Sequence, residues 1–350
     1  MARGEQTVDR RSRPVARPAS EREADAAGAS RATPAILVTG AHGAIGSWLL
    51  RELIRAGHTV VGLDAAARPV TPFPELHAAT VVEGDVRDTA RIGALIDAHG
   101  VDRIVHLAAI IAGAERDPGL AIEVNALASA RLLDVAAERG IRRVVALSTK
   151  GVLGELDARH LYPRYEPVPV DLAPSPRTLY EATKHLVEIV VGVNRGRGAD
   201  AAVVRLGTTW GPGKTGVTHG AFSLHTDVVA AALRGQSSRL AIGPEQGHDL
   251  IYYADVAAGL ASLVLAEGPL RSPVYHLGSG RITTVGEFAA AVEAAFPGVR
   301  VETGAERAAG RSCLMDISLA ERDAAYRPGW DVRRALADIT DLAAAGIVAP

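Results

Sequence analysis

Tyr180 and Lys184 lie four residues apart, a spacing that sets both side chains on one helical face about one turn apart. A free phenol ionises at about pH 10, and a neighbouring ammonium, with any further positive charge in the site, favours the phenolate. Lowering the phenol by roughly three pH units corresponds to about 4 kcal/mol of differential stabilisation, enough to make it a usable general base. A Tyr/Lys pair alone occurs in many helices without chemical meaning. Thr149, 31 residues upstream at the end of an apolar run, adds a hydroxyl that can hold the substrate oxygen on which Tyr180 would act. The three together suit hydride removal from a carbinol.

Hydride chemistry needs an acceptor, and a second cluster offers a place for one. The segment Ile36-Leu37-Val38-Thr39-Gly40-Ala41-His42-Gly43-Ala44-Ile45-Gly46 passes from an apolar run into an amphipathic one. Glycines at 40, 43 and 46 permit a tight turn, close approach of a pyrophosphate to backbone N–H groups, and close helix-to-strand packing. Asp64, 24 residues after Gly40, ends the next apolar run. A carboxylate there accepts hydrogen bonds from an adenosine ribose and repels a 2′-phosphate, which predicts NAD over NADP. Arg68 could accommodate that phosphate and keeps NADP open. In Gly84-Asp85-Val86, Asp85 could bond the adenine amino group, and Leu107, Ala108 and Ala109 would let backbone approach the cofactor. His106, just before them, reads as a hydrogen-bonded core histidine rather than a catalyst.

These residues sit at the ends of a regular alternation. Residues 35–39, 59–63, 79–83, 103–107, 143–148 and 201–206 read as strands, and 45–55, 89–99, 120–139 and 178–194 have helical spacing. Near-continuous Val, Ile, Leu and Ala strands separated by helices predict an α/β fold, a doubly wound parallel sheet covered on both faces. After residue 206 the rhythm loosens into a Gly-, Pro- and Thr-rich loop at 211–220 and helices near 226–234, 255–267, 285–295 and 332–345. The expected organisation is a disordered arm at 1–33, an NAD-binding Rossmann domain at 34–210, and a mainly substrate-binding lobe at 211–350 that covers the carboxyl edge of the sheet.

Composition limits the alternatives. The 350 residues are 48% hydrophobic, ample for a core, and 38 Lys+Arg against 40 Asp+Glu give a net charge of −2, which does not suggest a nucleic-acid or membrane-surface protein. Cys313 is the single cysteine, so no internal disulfide, zinc site or redox pair is expected, and no metal. No apolar run approaches the ~18 residues of a membrane helix, and no apolar segment follows the N-terminal arginines, so a cytoplasmic protein is expected. Only Lys150, Lys184 and Lys214 are lysine; where a cation merely has to be positive the chain uses arginine. Lys214, in Gly213-Lys214-Thr215, lacks the spacing and context of a phosphate-binding loop and reads as a loop cation.

Taken together, over about residues 35–330 the motifs resemble the extended short-chain dehydrogenase/reductase family, the NAD-dependent epimerases and dehydratases. Asn125, in Val124-Asn125-Ala126-Leu127-Ala128-Ser129, is similar to the family's helix asparagine. Residues 205–212 resemble its Arg-bearing strand and Gly-Pro turn, and 249–255 its substrate-lobe segment ending in a helix-capping aspartate. The resemblance implies bound NAD, with Gly40, His42, Gly43, Ala44, Ile45, Gly46, Asp64, Asp85, Val86, Leu107, Ala108, Ala109, Asn125, Tyr180 and Lys184 around it. It also implies Tyr180 as base, Lys184 on the ribose, Thr149 on the reacting oxygen, and a homodimer formed through the helices bearing Asn125 and Tyr180.

Departures from the family pattern bear on substrate. The 4,6-dehydratases carry an Asp and a Glu after the Thr; Lys150 and Gly151 stand there, which removes the acid and base of elimination. Nucleotide-sugar epimerases carry an Asn after the Arg strand and an Arg before the later Asp; here these are Thr208 and His248. A neutral imidazole is a poor substitute for a bidentate phosphate clamp. The first expectation is therefore an NAD-dependent dehydrogenase or reductase of a small polar hydroxy compound, a sugar, sugar acid or hydroxy acid. An epimerase that retains its cofactor is the second, and a non-catalytic NAD-binding regulator a minor third. Lys150, Thr208 and His248 are the expected substrate contacts, Lys150 toward an anionic group; His219 and His225 lie in the same loops but read first as solvated.

Overall fold

A computed structural model describes residues 34–111, 113–213, 224–308 and 312–348; the expectations for the 1–33 arm, Lys214 and His219 fall outside them. β1 (Ala35–Thr39) shows why the chain folds in layers. Ala35 and Leu37 enter one apolar cluster, and Ile36 and Val38 enter the other, the period-two alternation of a strand buried on both faces. Beside it lie β2 (Val60–Asp64), β3 (Thr80–Glu83), β4 (Val101–His106), β5 (Arg143–Leu147) and β6 (Ala201–Leu206). All are parallel, with Thr39 opposite Leu63 on one side and His106 on the other.

A seventh strand, Val274–Leu277, pairs with β6, giving the order Val274–Leu277, β6, β5, β4, β1, β2, β3. A brief strand-like piece between the later helices is in keeping with the sequence, but its place in the main sheet is not legible there: four residues with a buried His276 at their centre show no apolar alternation. The chain runs outward from β1 to β3 and then returns to place β4 against β1's other edge. Strand order reverses between β1 and β4, so a crevice opens at their carboxyl ends.

Helices Ala44–Arg55 and Tyr253–Leu265 bury their apolar faces in one layer, and Thr89–His99, Ala128–Glu138 and Leu179–Gly196 in the other. The expected helix at 120–139 is instead Pro118–Ile122, a π-helical turn Glu123–Leu127, and Ala128–Glu138; π turns of this kind recur at functional sites. Beyond β6, short pairings hold the remaining strands: Thr208–Trp210 with Leu250–Tyr252, Ser238–Ile242 with Val301–Glu306, and Gly247–His248 with Thr283–Thr284. Among the described residues no helix is long and apolar enough to cross a membrane.

Candidate active site

The crevice is a cleft of about 970 Å³. Its first wall is the glycine turn. Gly40 has φ +70°, and a Cβ there would lie 2.8 Å from the Ala108 backbone nitrogen, so only glycine lets the segment after β4 approach the turn. A Cβ on Gly46 would lie 2.1 Å from the Gly40 carbonyl oxygen, which closes the helix onto the strand end. The helix starts at Ala44 with no side-chain cap and no acidic residue in its first turn, leaving its N–H groups turned toward an anion. The cradle therefore fits a pyrophosphate, and Gly40, Gly43, Ala44, Ile45 and Gly46 all line the cleft.

At the end of β2, Asp64 lines the same wall, its carboxylate accepting the His42 N–H at 2.8 Å and the Ala66 N–H at 2.7 Å. His42 is not a lining residue: its Nδ1 lies 2.6 Å from the Ala66 carbonyl oxygen, so its part is to shape the turn. Asp85 and Val86 line the far end. There Arg87, which no motif in the sequence marks, also lines the cleft and grips both Asp85 oxygens, Nη2 to Oδ2 at 2.7 Å. That guanidinium holds the Asp85 carboxyl below the usual carboxylate range. Arg68 is exposed and is not a lining residue.

The opposite wall is built by the end of β5 and the start of helix Leu179–Gly196. Thr149, Lys150, Tyr180 and Lys184 line it together with Leu107, Ala108 and Ala109 from the end of β4. A reciprocal cap fixes the helix start: the Glu181 N–H donates to Thr178 Oγ1 at 3.3 Å, and the Thr178 N–H donates to Glu181 Oε2 at 3.1 Å. Tyr180 stands in that first turn. Lys184, one turn on, donates from Nζ to the Leu147 carbonyl at 2.9 Å and lies 6.0 Å from the Tyr180 ring centroid.

Electrostatics here differ from expectation. Burial lowers Lys184 to about 8, but the Tyr180 phenol moves up rather than down, because burial disfavours the phenolate and the Glu181 carboxylate adds to it. The ammonium, bonded to Leu147 and itself desolvated, does not offset that.

Asn125 does not line the cleft. It accepts the Ile110 N–H at 2.7 Å and donates to the Ile110 carbonyl at 2.8 Å and to Thr183 Oγ1 at 3.3 Å. Thr183 in turn donates to the Tyr180 carbonyl at 2.7 Å, so the π turn fastens the segment after β4 to the Tyr180 helix. Glu188, one turn beyond Lys184, was also missed. It accepts from Ser148 Oγ at 2.5 Å and from Arg205 Nε at 2.8 Å and Nη2 at 2.7 Å, a buried ion pair tied to the residue before Thr149; the four-residue step from Lys184 was its signal. His106 is the core histidine expected: its two ring nitrogens bond Thr39 Oγ1 at 2.7 Å and Ser129 Oγ at 2.8 Å, and burial lowers it to about 3.

At the remaining end, Lys150 is only 6% exposed and donates from Nζ to Thr208 Oγ1 at 2.6 Å, both residues lining the cleft. His248 and His225 are not lining residues. His248 Nδ1 bonds Ser312 Oγ at 2.7 Å and its ring meets His225 edge-on at 5.1 Å between centroids. Burial, with the Lys150 charge adding to it, lowers His225 to about 3; burial, His225 and Lys150 lower His248 to about 2. Both are neutral imidazoles behind the lysine. Asp255 does not cap its own helix, as the resemblance implied; its carboxylate accepts the Gly329 and Trp330 N–H groups at 2.8 and 3.0 Å, while Tyr252 occupies the cap position.

A family model described as the NAD dependent epimerase/dehydratase family matches residues 36–278. A UDP-glucose 4-epimerase of Mycolicibacterium smegmatis is 30% identical over 270 residues, 74% of this chain and 82% of its own length. Among solved structures, a UDP-glucose 4-epimerase of Thermotoga maritima, determined with UDP-glucose, superposes with a TM-score of 0.74 at 22% identity, covering 89% of this chain and 99% of its own. MoeE5, determined with UDP-glucose and NAD, superposes with a TM-score of 0.70 at 25% identity over 89% of this chain and 99% of its own.

Proposed function

The chain belongs to the NAD-dependent epimerase/dehydratase family, whose members are enzymes, and from that premise we propose an NAD-dependent oxidoreductase that transfers hydride between a carbinol of a small polar substrate and the nicotinamide. One observation carries this reading: Thr149, Tyr180 and Lys184 share a single cleft with the glycine turn and Asp64. Bound NAD supplies the hydride acceptor or donor. The Gly40–Gly46 turn and the N–H groups of its helix bind the pyrophosphate, and Asp64 takes the adenosine ribose. Thr149 Oγ1 holds the reacting oxygen, Tyr180 removes the proton from that hydroxyl, and Lys184 orients the ribose and the phenol. Because burial raises the Tyr180 phenol, its function as a base depends on the positive charge of the oxidised nicotinamide as well as on Lys184.

A second reading, an epimerase that keeps its cofactor, is favoured by the 30% identity to the mycobacterial UDP-glucose 4-epimerase. One experiment separates the two: incubate the enzyme with NAD and a panel of sugars, sugar acids, hydroxy acids and nucleotide sugars, following NADH and stereoisomer formation together. Stoichiometric NADH supports the dehydrogenase; a new stereoisomer without net NADH, from protein that purifies with NAD bound, supports the epimerase. Neither product would sink both.

The protein is proposed to work as a homodimer. Ile122, Leu127, Leu186, Ile189 and Val193 are 42–50% exposed on the two helices bearing Asn125 and Tyr180, an apolar face of the kind a second copy covers. The lone buried thiol Cys313 is compatible with a reducing compartment, and the cytoplasm is the proposed location.

A further inference from the structure

We propose, resting on the assignment of Asp64 to the adenosine ribose, that His42 is a positioning residue for cofactor choice: its imidazole locks the Asp64 carboxylate and the segment after β2 in the arrangement that takes an unphosphorylated ribose. Three hydrogen bonds close a cycle. The His42 N–H donates to Asp64 Oδ2 at 2.8 Å, the Ala66 N–H donates to Asp64 Oδ1 at 2.7 Å, and His42 Nδ1 lies 2.6 Å from the Ala66 carbonyl oxygen. A carbonyl only accepts, so Nδ1 carries a proton and donates it. The His42 carbonyl receives a further bond from the Val70 N–H at 2.8 Å, which fixes the far end of the same segment.

The imidazole matters because little packing does its work. Residues 65–68 are exposed, so burial holds this stretch weakly and its placement falls to hydrogen bonds. Each Asp64 oxygen accepts one N–H, which sets the plane of the carboxylate and leaves lone pairs on both oxygens for the two ribose hydroxyls. The first donor, the His42 N–H, is placed by the glycine turn, where the Gly40 N–H bonds the Leu63 carbonyl at 2.8 Å. The second, on Ala66, has no such anchor except the imidazole that grips the carbonyl of the same residue. Any amino acid at position 42 supplies the backbone N–H, but only a side chain with a donor closes the cycle. Asp64, Ala65, Ala66 and Val70 line the cleft and His42 does not, so the imidazole acts through Asp64 and Ala66. Arg68, on the same stretch, is exposed and outside the lining, and a fixed segment leaves the carboxylate as the charge that meets the ribose and repels a 2′-phosphate.

The test is fluorescence titration of the cofactor-free protein with NAD and with NADP. His42→Ala is expected to weaken NAD roughly fivefold and to leave NADP within about twofold of the wild type, so that the preference for NAD narrows. His42→Leu, of similar bulk but without a donor, is expected to behave as the alanine variant does. His42→Asn, whose side-chain N–H stands in the place of Nδ1, is expected to recover most of the NAD affinity. Amide exchange across residues 65–70 should be faster in the alanine and leucine variants than in the wild type and restored in the asparagine variant. If His42→Ala fails to fold, the leucine and asparagine variants carry the comparison. Unchanged NAD affinity without the donor, an equal loss for NAD and NADP, unchanged exchange at 65–70, or an asparagine variant no better than leucine overturns the proposal. Asp64→Ala keeps its failure apart from that of the reading beneath it. A preference for NAD that survives Asp64→Ala sinks the ribose assignment, whereas one that Asp64→Ala abolishes and His42→Leu leaves intact sinks only the role of His42.

Discussion

Lys184 carries opposite demands, a charge for chemistry and a place with almost no water. Burial brings its pKa down to about 8, against roughly 10.4 in an unfolded chain. Between those values the unfolded state binds the extra proton, so stability rises as pH climbs from about 8 toward 10, by up to ~1.4 kcal/mol per pH unit. Below pH ~8 both states are protonated and the buried ammonium is a constant cost. Urea unfolding of the cofactor-free enzyme at pH ~8 and ~9.5 checks this: the wild type should gain stability that Lys184→Met does not, and parallel profiles would refute it. Tyr180→Phe is expected to slow hydride transfer by roughly 10³-fold while leaving NAD affinity within about twofold, since it removes the base and not the cradle; stopped-flow NADH formation and NAD titration read the two effects separately. The residue types and spacing of this trio were legible in the sequence. The upward direction of the Tyr180 shift was not, because it depends on how deeply the phenol is buried and on where the Lys184 ammonium finds its partner.

At the scale of elements, the short start of the Tyr180 helix fixes the base. Thr178→Ala removes the hydroxyl that receives the Glu181 N–H and is expected to cost about 1 kcal/mol. With Tyr180 only two residues on, kcat should fall more than KM rises; a variant that loses stability with unchanged kcat would show that the cap does not position the phenol. Periodicity located the four helical stretches and six strands of residues 35–206 to within a few residues, because each buries a regular apolar face. It failed at two places for physical reasons. The turn at Glu123–Leu127 is wider than an α-helix, and nothing in Asn125's neighbours marks that widening, which serves the bonds to Ile110. Val274–Leu277 is too short to show a period, and its place is decided by its pairing with β6.

For the molecule as a whole, Arg143 shows how distant segments are joined. Its guanidinium is 1% exposed and bonds the Asp200 carboxylate, the Leu263 carbonyl at 3.1 Å and the Ala266 carbonyl at 2.6 Å, tying β5 to the end of helix Tyr253–Leu265 and to the segment before β6. Arg143→Met strands a partly buried carboxylate and several carbonyls and should destabilise by about 3–5 kcal/mol, read as a lowered urea midpoint. For the proposed dimer, Leu186→Asp with Ile189→Asp is expected to give a monomer by light scattering; a wild type that is already monomeric would end that proposal. The sequence by itself determined the layered α/β plan, the glycine turn with Asp64, and the Thr149, Tyr180 and Lys184 set, because periodicity, backbone freedom and chemical type are local properties of the chain. Only the tertiary structure decided that Lys150 meets Thr208 at the cleft while His248 turns to Ser312, and that Glu188 takes both Ser148 and Arg205. Those contacts join residues up to 64 positions apart, and which side chains meet depends on the packing of the layers, which no short stretch of sequence encodes.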